Sequence, residues 1–484
     1  MRENINKFKI VGLVLLILLL KLIILPFSQT VDADSVTRIF LALDWVENPK
    51  WISESVWGPL HFYLNGFALA IWKNPVYTPK ILNILLSTFS LIPFYYFTKR
   101  EFNKTGAFIT TIFLALSPVL FRNSFFGLSE TPYLFFLILS MNWLSKWMKE
   151  NKTQFLLLSG IAITIASGIR YEAWLIMAIW GLYIFIKYNF KNAFIFSAFA
   201  LIFPFIWMVQ GYLNTGNPFS GIEGNFTWTM DVMNNNANLT FESYLRRIWY
   251  FPFIWMISVG PPLAYVLLRD HFQFKKFNHT KFYSNVWILT LIIIFIFVII
   301  NSLKGTLLLQ ARFIGSILIF SLPFAANFFK EDSIKKKKLS VLFLIITVSF
   351  SFIYNISNVK PIPRLKNQNA KEIVNEIFKN KGEFTSLYLD DWGWDNTYYV
   401  ALNSGVNHNN ISIISQYSQN SEIIGKLNRT MLFSGSKLLL LFNGSQSEKT
   451  LIVDYSRNTI QFNNQIYSFK IISNNEEVTL IKII

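Results

Sequence analysis

The sequence contains no cysteine and only four histidines among its 484 residues. The missing cysteines exclude a disulfide framework and any thiolate metal or redox site. They also remove one indication of the cellular compartment, which therefore has to be inferred from membrane topology. One histidine, His61, lies near several acids, but a zinc site normally uses several nitrogen, sulfur or oxygen ligands. We expect His61 to be an interfacial polar residue or a substrate contact, and not a metal ligand.

Charged residues are also scarce, because they make up 15% of the chain against 53% hydrophobic and 17% aromatic residues. The mean hydropathy is +0.39. So little polar surface excludes an ordinary soluble globular protein and predicts a polytopic membrane protein. The formal net charge is +17, but the Lys and Arg residues fall in short clusters between apolar runs. Such clusters orient membrane helices, so we expect contact with membrane lipids and no nucleic-acid partner.

Apolar runs of about 20 residues predict about eleven transmembrane helices. The first run, 10–27, follows a basic start without a persuasive cleavage site, so we expect a retained helix with a cytoplasmic N-terminus. The segment 57–72 is short and interrupted by Gly and Pro, which indicates a re-entrant or surface-lying segment. With this assignment every cytoplasmic loop carries a basic cluster. The other spans are expected near 80–98, 106–121, 132–148, 154–169, a sixth ending before Lys187, 193–212, 248–268, 284–302, 313–329 and 339–356.

The composition changes near residue 360, where apolar runs shorten to strand length and Asn, Ser, Asp and Gly increase. We therefore predict a transmembrane domain over 1–358, with an outer acidic loop and juxtamembrane or re-entrant helices at 30–79. A small extracytoplasmic α/β domain should cover 359–484. Within it the pattern indicates a helix at 369–378 and strands at 384–391, 411–415, 437–442 and 450–455.

The loop at residues 30–61 is the stretch around which the chain is organised. It concentrates acids in an otherwise apolar sequence, and tryptophans flank it as they do at membrane interfaces. Acids near hydrocarbon are costly, so we interpret this stretch as an active-site loop. It carries the acids Asp32, Asp34, Asp44, Glu47 and Glu54 beside Arg38 and His61.

Further charges are predicted at the outer ends of later helices, where they should converge with the first loop. Carboxylates can take a proton from a hydroxyl nucleophile, and arginines can hold a phosphate leaving group with two parallel hydrogen bonds. This combination suits transfer of a group from a lipid phosphate. The residues concerned are Asp32, Asp34, Arg38, Arg122, Glu130, Arg170, Glu172 and Arg312.

The order of several short motifs resembles the GT-C membrane glycosyltransferases, over about residues 1–330. An acidic motif follows the first span, then WGPLHFY, a span ending in KREFNKTG, a span ending in LSP with SETP after it, and QARF before a late apolar run. Within this superfamily the chain is similar to the users of polyprenyl-phosphate sugars, which include protein O-mannosyltransferases and the aminoarabinose transferase of lipid A. The resemblance implies a GT-C fold.

The resemblance also implies roles for individual residues. Asp34 matches the catalytic base of the first outer loop, with Asp32 the other candidate, and Glu130 matches a second acidic position. Arg312 matches a basic residue that contacts the lipid phosphate, and Arg170 with Glu172 should line the cavity. Many protein O-mannosyltransferases have a paired Asp-Glu in the first motif, whereas Ser35 follows Asp34 here. This difference bears on the acceptor more than on the reaction.

Each of these positions also has a purely structural interpretation. Asp34 and Arg38 are four residues apart and could form a surface ion pair on a helix, while Asp32 could cap that helix. Glu130 could be a first-turn acid favoured by the helix dipole. Arg170, Glu172 and Arg312 could anchor helix ends at the interface.

The resulting hypothesis is an inverting glycosyltransferase that moves a hexose, with mannose as first choice, from a polyprenyl monophosphate to an acceptor hydroxyl at the outer face. A protein, a lipid or a glycan could be the acceptor. The chemistry needs no cofactor, although Asp32, Asp34 and Glu130 could hold a divalent metal. The alternatives are a flippase or transporter, and an oligosaccharyltransferase. DDWGWDN at 390–396 differs from the oligosaccharyltransferase signature WWDYG, and a strand followed by an Asp-capped helix explains it.

Overall fold

The computed structural model describes residues 2–29, 31–51, 57–234, 240–260, 263–265, 267–268, 286–329, five residues between 338 and 349, 368–390, 392–413, 437–442, 452–462 and 465–484. The chain divides into two compact units. Unit 1 comprises Met1–Pro26, Asn48–Ala68 and Lys80–Ile362, and unit 2 comprises Phe27–Glu47, Leu69–Pro79 and Pro363–Ile484. The acidic loop is therefore shared between the two units. Glu54, Asp391 and nearly all of the predicted span 339–356 lie outside the described residues.

The first part of the chain is almost entirely helical, as its apolar runs predict. Helices α1 to α14 run in chain order. Their bounds are Arg2–Ile24, Ala33–Glu47, Leu60–Ile71, Thr78–Phe89, Leu91–Glu101, Lys104–Leu116, Pro118–Asn123, Glu130–Glu150, Thr153–Ile169, Glu172–Lys187, Phe190–Ala200, Ile202–Thr215, Ser220–Asn234 and Phe241–Val259. Helix α15 covers Val286–Lys304, a 3-10 turn covers Ala311–Ile314, α16 covers Gly315–Ser321, and a second 3-10 segment covers Leu322–Asn327.

Two of the predicted spans are interrupted or bent in the structure. The run 106–121 ends its first helix at Leu116, and Pro118 begins α7 after the break at Ser117. The run 193–212 bends by 56° between α11 and α12. By length and apolar composition, three described helices could cross a membrane, namely Phe8–Phe27, Thr78–Glu101 and Val286–Lys304, and the bent pair makes a fourth. The count of about eleven spans stays a prediction.

Large aromatic side chains form the centre of unit 1. Trp147, Trp180, Phe97 and Phe320 are fully buried, and Trp180 meets Trp287 edge to face at 5.7 Å between ring centroids. The Trp180 indole N–H donates to Thr290 Oγ1 at 3.0 Å, so the polar atom of this buried ring is satisfied. Edge-to-face pairs fix the relative rotation of the helices that carry them. This core holds α8, α9, α10, α15 and α16 together.

Two helices approach backbone to backbone at Gly106 of α6. A Cβ placed on Gly106 would overlap the backbone of Ala326 in the second 3-10 segment. Beside it, Asn103 Nδ2 donates to the Ala326 carbonyl at 2.7 Å, and Asn103 Oδ1 accepts from the Gly106 N–H at 2.7 Å. Small residues at membrane helix contacts permit such close packing. Glycine is therefore required at this position.

Unit 2 combines α2 with the α/β fold of the C-terminal residues. Helix α17 covers Gln368–Lys379 and α18 covers Trp394–Asn403. The strands β1 to β7 are Ser386–Leu389, Ile411–Ile413, Lys437–Phe442, Ile452–Asp454, Thr459–Phe462, Gln465–Asn474 and Val478–Ile483. They form one sheet in the order β2-β1-β3-β7-β6-β5-β4. The first three strands are parallel, and the remaining pairings are antiparallel.

Strand β3 is buried on both faces, which explains its continuous run of leucines. Leu438 and Leu440 pack with the apolar face of α17, whereas Leu439 and Leu441 belong to a cluster on the other face. The strands expected near 384–391, 411–415, 437–442 and 450–455 correspond to β1 to β4. The last three strands were not predicted. The expected Asp cap is wrong, because Gly393 occupies the N-cap of α18 and Asp395 lies in its first turn.

We predict that Gly106→Ala lowers the thermal midpoint of the full-length protein in detergent, at a cost of about 1–3 kcal/mol from overpacking. The added methyl group meets the Ala326 backbone, which cannot rotate away as a side chain could. Gly12→Ala is the matched control, since a Cβ on Gly12 has nothing within 4 Å. Equal melting of both variants would contradict the close contact.

Candidate active site

The local fold of α8 places Glu130 at the start of a long helix. Pro132 suits the first turn because it has no N–H to leave unpaired, and a carboxylate there meets the positive end of the helix dipole. The preceding loop is fixed by Asn83 of α4, whose side-chain amide donates to the carbonyls of Phe126 at 2.5 Å and Leu128 at 2.9 Å. Glu130 is consequently held in a buried position, at 3% exposure.

Arg170 reaches this carboxylate from the junction between α9 and α10. It caps α9 in an extended conformation, with φ of −146° and ψ of 138°, which turns its side chain away from the helix. Its Nη1 donates to Glu130 Oε1 at 2.7 Å and to Ser129 Oγ at 3.2 Å. Its Nε and Nη2 donate to Glu172, at distances between 2.6 and 3.1 Å. One guanidinium thus joins two carboxylates from two helices.

Arg312 completes the cluster from the 3-10 turn at Ala311–Ile314. Its Nε lies 3.5 Å from Glu130 Oε1, a distance that makes an ion pair without a short hydrogen bond. Both arginines also contact the Phe313 ring, since the Cζ atoms of Arg170 and Arg312 are 5.2 Å and 5.4 Å from its centroid. Glu130 therefore forms ion pairs with two guanidinium groups that come from distant parts of the chain.

The cluster is nearly dry and carries balanced charges. The side chains of Glu130, Arg312 and Arg170 are 4%, 11% and 13% exposed, whereas that of Glu172 is 35% exposed. Two guanidiniums face two carboxylates, so their formal charges cancel. Burying charged groups costs several kcal/mol per ion, and apolar side chains at a helix junction would usually stabilise it at least equally well. This cost favours a role for the charges in holding a charged substrate. Glu172, the most exposed of the four, marks the accessible side of the cluster.

Residues that the sequence analysis did not single out stiffen this arrangement. The hydroxyl groups of Tyr133 and Ser316 lie 2.9 Å apart and connect α8 to α16. A Cβ on Gly315 would overlap the side chain of Leu134, so α16 also packs tightly on α8. Tyr133 and Ser316 lie three and four residues after Glu130 and Arg312, respectively. Residues three or four positions apart share one face of a helix. A polar residue at this spacing from a charged residue in an apolar run was therefore the sequence signal that could have identified Tyr133 and Ser316.

The two remaining predicted residues of unit 1 have other described contacts. Arg122 lies in the last turn of α7, with its Cζ 5.4 Å from the centroid of the Phe126 ring. His61 is 1% exposed, and its Nε2 lies 3.0 Å from the Nδ2 of Asn65 one turn later in α3. The structure thus brings together Glu130, Arg170, Glu172 and Arg312. The contacts described for Arg122 and His61 are with other residues, Phe126 and Asn65.

The remaining predicted residues, Asp32, Asp34 and Arg38, lie in unit 2 at the start of α2. Asp32 Oδ1 accepts a hydrogen bond from the Asp34 N–H at 3.1 Å, and the Asp32 carbonyl accepts from the Val36 N–H at 3.0 Å. Asp32 therefore caps α2 in the way its position before the helix suggests. Asp34 is partly exposed in the first turn, and Arg38 is buried one turn later.

The C-terminal residues of unit 2 fix α2 through its acidic end. Asp44 Oδ1 lies 2.6 Å from His408 Nε2, and Asn409 Nδ2 donates to Glu47 Oε2 at 3.2 Å. On the apolar face of α2, Val36, Ile39 and Leu43 follow the i, i+3, i+7 spacing of a buried helix stripe and pack with Leu402. Two acids of the first loop thus have structural partners.

A metal site was left open by the sequence for Asp32, Asp34 and Glu130. Within the described ranges, no three His, Cys, Asp or Glu side chains lie close enough together to hold a metal ion.

We predict that Glu130→Gln lowers the free energy of unfolding by about 3 kcal/mol, because it leaves two buried guanidiniums without their shared carboxylate. Thermal melting of the full-length protein in detergent measures this loss. Glu172→Gln is the matched control and should cost less, since its carboxylate is partly solvated. A loss at Glu172 equal to that at Glu130 would contradict the assignment of Glu130 as the centre of the cluster.

For unit 2 we predict that Asp44→Ala and His408→Ala are not additive. Each variant should remove the same 2.6 Å contact, so the double variant should be about 1 kcal/mol more stable than the sum of single losses implies. Thermal melting of the four proteins measures this coupling. Additive losses would show that the two side chains do not interact in solution.

Two comparisons with known proteins bear on this fold. The family described as dolichyl-phosphate-mannose-protein mannosyltransferase matches residues 56–210, about a third of the chain. This segment contains Glu130, Arg170 and Glu172 but not Arg312 or the acids of α2. No curated protein sequence matches the chain.

Solved structures match over nearly the whole chain. ArnT from Cupriavidus metallidurans bound to undecaprenyl phosphate superposes with a TM-score of 0.68 at 8% identity, covering 97% of this chain and 98% of ArnT. The oligosaccharyltransferase of Archaeoglobus fulgidus in the apo form gives 0.54 at 11% identity, covering 89% of this chain and 69% of the enzyme. Such low identities establish a shared fold only. The chain therefore shares its fold with ArnT and the oligosaccharyltransferase, and its residues 56–210 resemble the dolichyl-phosphate-mannose-protein mannosyltransferase family.

Proposed function

We propose that the protein transfers a sugar from a polyprenyl-phosphate carrier to an acceptor hydroxyl at the outer face of the membrane. The observation that carries this proposal is the buried cluster of Glu130, Arg170 and Arg312 in a GT-C fold. The ArnT structure holds undecaprenyl phosphate, and a structure of the Archaeoglobus fulgidus oligosaccharyltransferase holds dolichol-phosphate. The family match supports a hexose, with mannose as the first choice.

The reaction proceeds as a single displacement with inversion. The acceptor oxygen attacks the anomeric carbon, while a carboxylate takes the hydroxyl proton. The bond between the anomeric carbon and the phosphate oxygen breaks, and the lipid phosphate leaves with the electron pair and one further negative charge. Asp34 is the proposed base, with Asp32 as the alternative. Asp34 is partly exposed in the first turn of α2, and an oxygen of Asp32 accepts the Asp34 N–H.

Arg312 is the proposed ligand of the departing phosphate. Its Nε lies 3.5 Å from Glu130 Oε1, and its side chain is 11% exposed at the edge of the same cluster as Arg170. Arginines form two parallel hydrogen bonds to phosphate, which would compensate for a weakened contact with Glu130. Glu130 then keeps both guanidiniums in place before the donor arrives. Arg38, His61, Arg122, Arg170 and Glu172 are the proposed further substrate contacts.

A transfer to asparagine is the second candidate, because the oligosaccharyltransferase shares the fold over 89% of this chain. The acceptor nitrogen would then replace the hydroxyl oxygen. An assay that offers both kinds of acceptor decides between the two.

We predict that the purified full-length protein moves label from polyprenyl-phosphate mannose or glucose to an acceptor in a membrane extract. Asp34→Asn should lower the rate by about 10²–10⁴-fold, the usual contribution of a general base. Glu47→Gln is the matched control: it exchanges an acid for an amide on the same helix and keeps an acceptor oxygen for Asn409. Label on proteins, lipids and an Asn-containing peptide is counted separately.

Transfer by wild type and Glu47→Gln but not by Asp34→Asn would support both the reaction and the base. If Asp34→Asn transferred label as fast as wild type, the reaction class would stand and the assignment of Asp34 as the base would be rejected. Failure of all carriers would reject the proposed function.

A further inference from the structure

A lysine is buried within the first membrane helix, where a charge is expensive. Lys21 of α1 is 3% exposed, although the apolar stretch Phe8–Phe27 that contains it has a mean hydropathy of 3.0. Ionisable residues inside apolar membrane helices usually mark a functional site and require a named partner. The other lysine of this part of the helix with a described side chain, Lys9, is exposed. Lys21 therefore needs an explanation that orientation of the helix does not provide.

The Lys21 ammonium group has two described contacts, and neither of them is with an anion. Its Nζ donates to Ser87 Oγ at 2.8 Å and lies 5.4 Å from the centroid of the Phe121 ring. No carboxylate within 4 Å of this ammonium is found in the described part of the chain. An ammonium group has three donors, and a hydroxyl with one aromatic face compensates only part of its lost hydration.

A cavity opens next to this ammonium. Its polar lining consists of Lys21, Ser87, Ser90 and Thr131. Its apolar lining comprises Leu91, Leu114, Ala115, Leu120, Leu134, Ile138 and Ile319. A lining that combines one ammonium group and three hydroxyl groups with apolar side chains fits a molecule with one charged group and a hydrocarbon chain better than a free ion.

The cavity borders the Glu130 cluster but uses different residues. Thr131 follows Glu130 in the first turn of α8, and Leu134 of the same lining packs against Gly315, three residues after Arg312. The charges of the cluster cancel among themselves, whereas Lys21 adds a positive charge that described carboxylates do not compensate. An anion bound at Lys21 would therefore gain attraction without displacing an existing ion pair.

We propose that Lys21, with Ser87, Ser90 and Thr131, forms a second phosphate-binding site in unit 1, whose ligand is the phosphate group of a membrane lipid. This site would hold a polyprenyl phosphate beside the reacting centre, before or after sugar transfer. The identity of the lipid rests on the proposed function, whereas the site itself does not. The site at Lys21 would bind the lipid phosphate without making or breaking a covalent bond.

The test counts lipid phosphates on the full-length protein by native mass spectrometry, with undecaprenyl phosphate as the probe. Wild type should retain two, Lys21→Met and Lys21→Gln should each retain one, and Lys9→Met should retain two. Lys21→Gln keeps a donor for Ser87 and removes only the charge, so it covers the case in which the methionine variant does not fold. Lys21→Arg should retain two, since it restores the charge and the donors.

Stability provides a second readout that separates binding from a structural role. A buried charge replaced by an apolar chain of similar volume usually leaves stability unchanged or raises it. Lys21→Met without lipid should therefore melt at the temperature of wild type or above it. A lower melting temperature with two lipids still bound would assign Lys21 a structural role and overturn the proposal.

Competition identifies the source of the phosphate group. The competitors are tested on the lipid that the Lys21 variants are expected to lose. Its displacement from wild type by phosphatidylglycerol would show that the site also accepts phospholipids. Its displacement by inorganic phosphate alone would overturn the lipid assignment. Arg312→Met separates the two proposals, because it should remove the lipid at the reacting centre and leave the one at Lys21. Two lipids on both Lys21→Met and Lys21→Gln would reject the second site whatever the transfer assay shows.

Discussion

The helical unit depends on one buried carboxylate that two arginines share. Glu130 lies at the start of α8, and it meets Arg170 from the α9–α10 junction and Arg312 from a 3-10 turn some 140 residues later. Each ion alone would be prohibitively costly at such low exposure. Together they fix three chain segments around a point that is charged, dry and accessible on the side of Glu172. Such preorganised charge suits the transfer from a lipid phosphate that we propose.

The sequence predicted the parts of this site that carry formal charge. Glu130, Arg170, Glu172 and Arg312 were recognisable because charges in apolar runs are rare and costly. The supporting groups were not, since Asn83, Tyr133 and Ser316 act through contacts between segments far apart in sequence. The helical class followed from composition, but the breaks at Ser117 and Leu201 depend on packing that periodicity does not encode. Strands β5 to β7 were missed because polar residues interrupt their apolar pattern.

The acidic first loop has two different kinds of residue. Asp44 and Glu47 contact His408 and Asn409, so they connect α2 to the C-terminal part of unit 2. Asp32 caps the same helix, and Asp34 lies partly exposed in its first turn. Composition alone could not separate these roles, because the partners lie more than 360 residues away. The C-terminal domain is thus part of the support of α2.

The proposed binding of the carrier phosphate by Arg312 can be seen in a structure of the full-length protein in lipid nanodiscs with bound polyprenyl phosphate. We expect a phosphate oxygen about 3 Å from the Arg312 guanidinium, with Arg170 still hydrogen-bonded to Glu130. Arg312 still paired with Glu130 and no phosphate beside either arginine would contradict it.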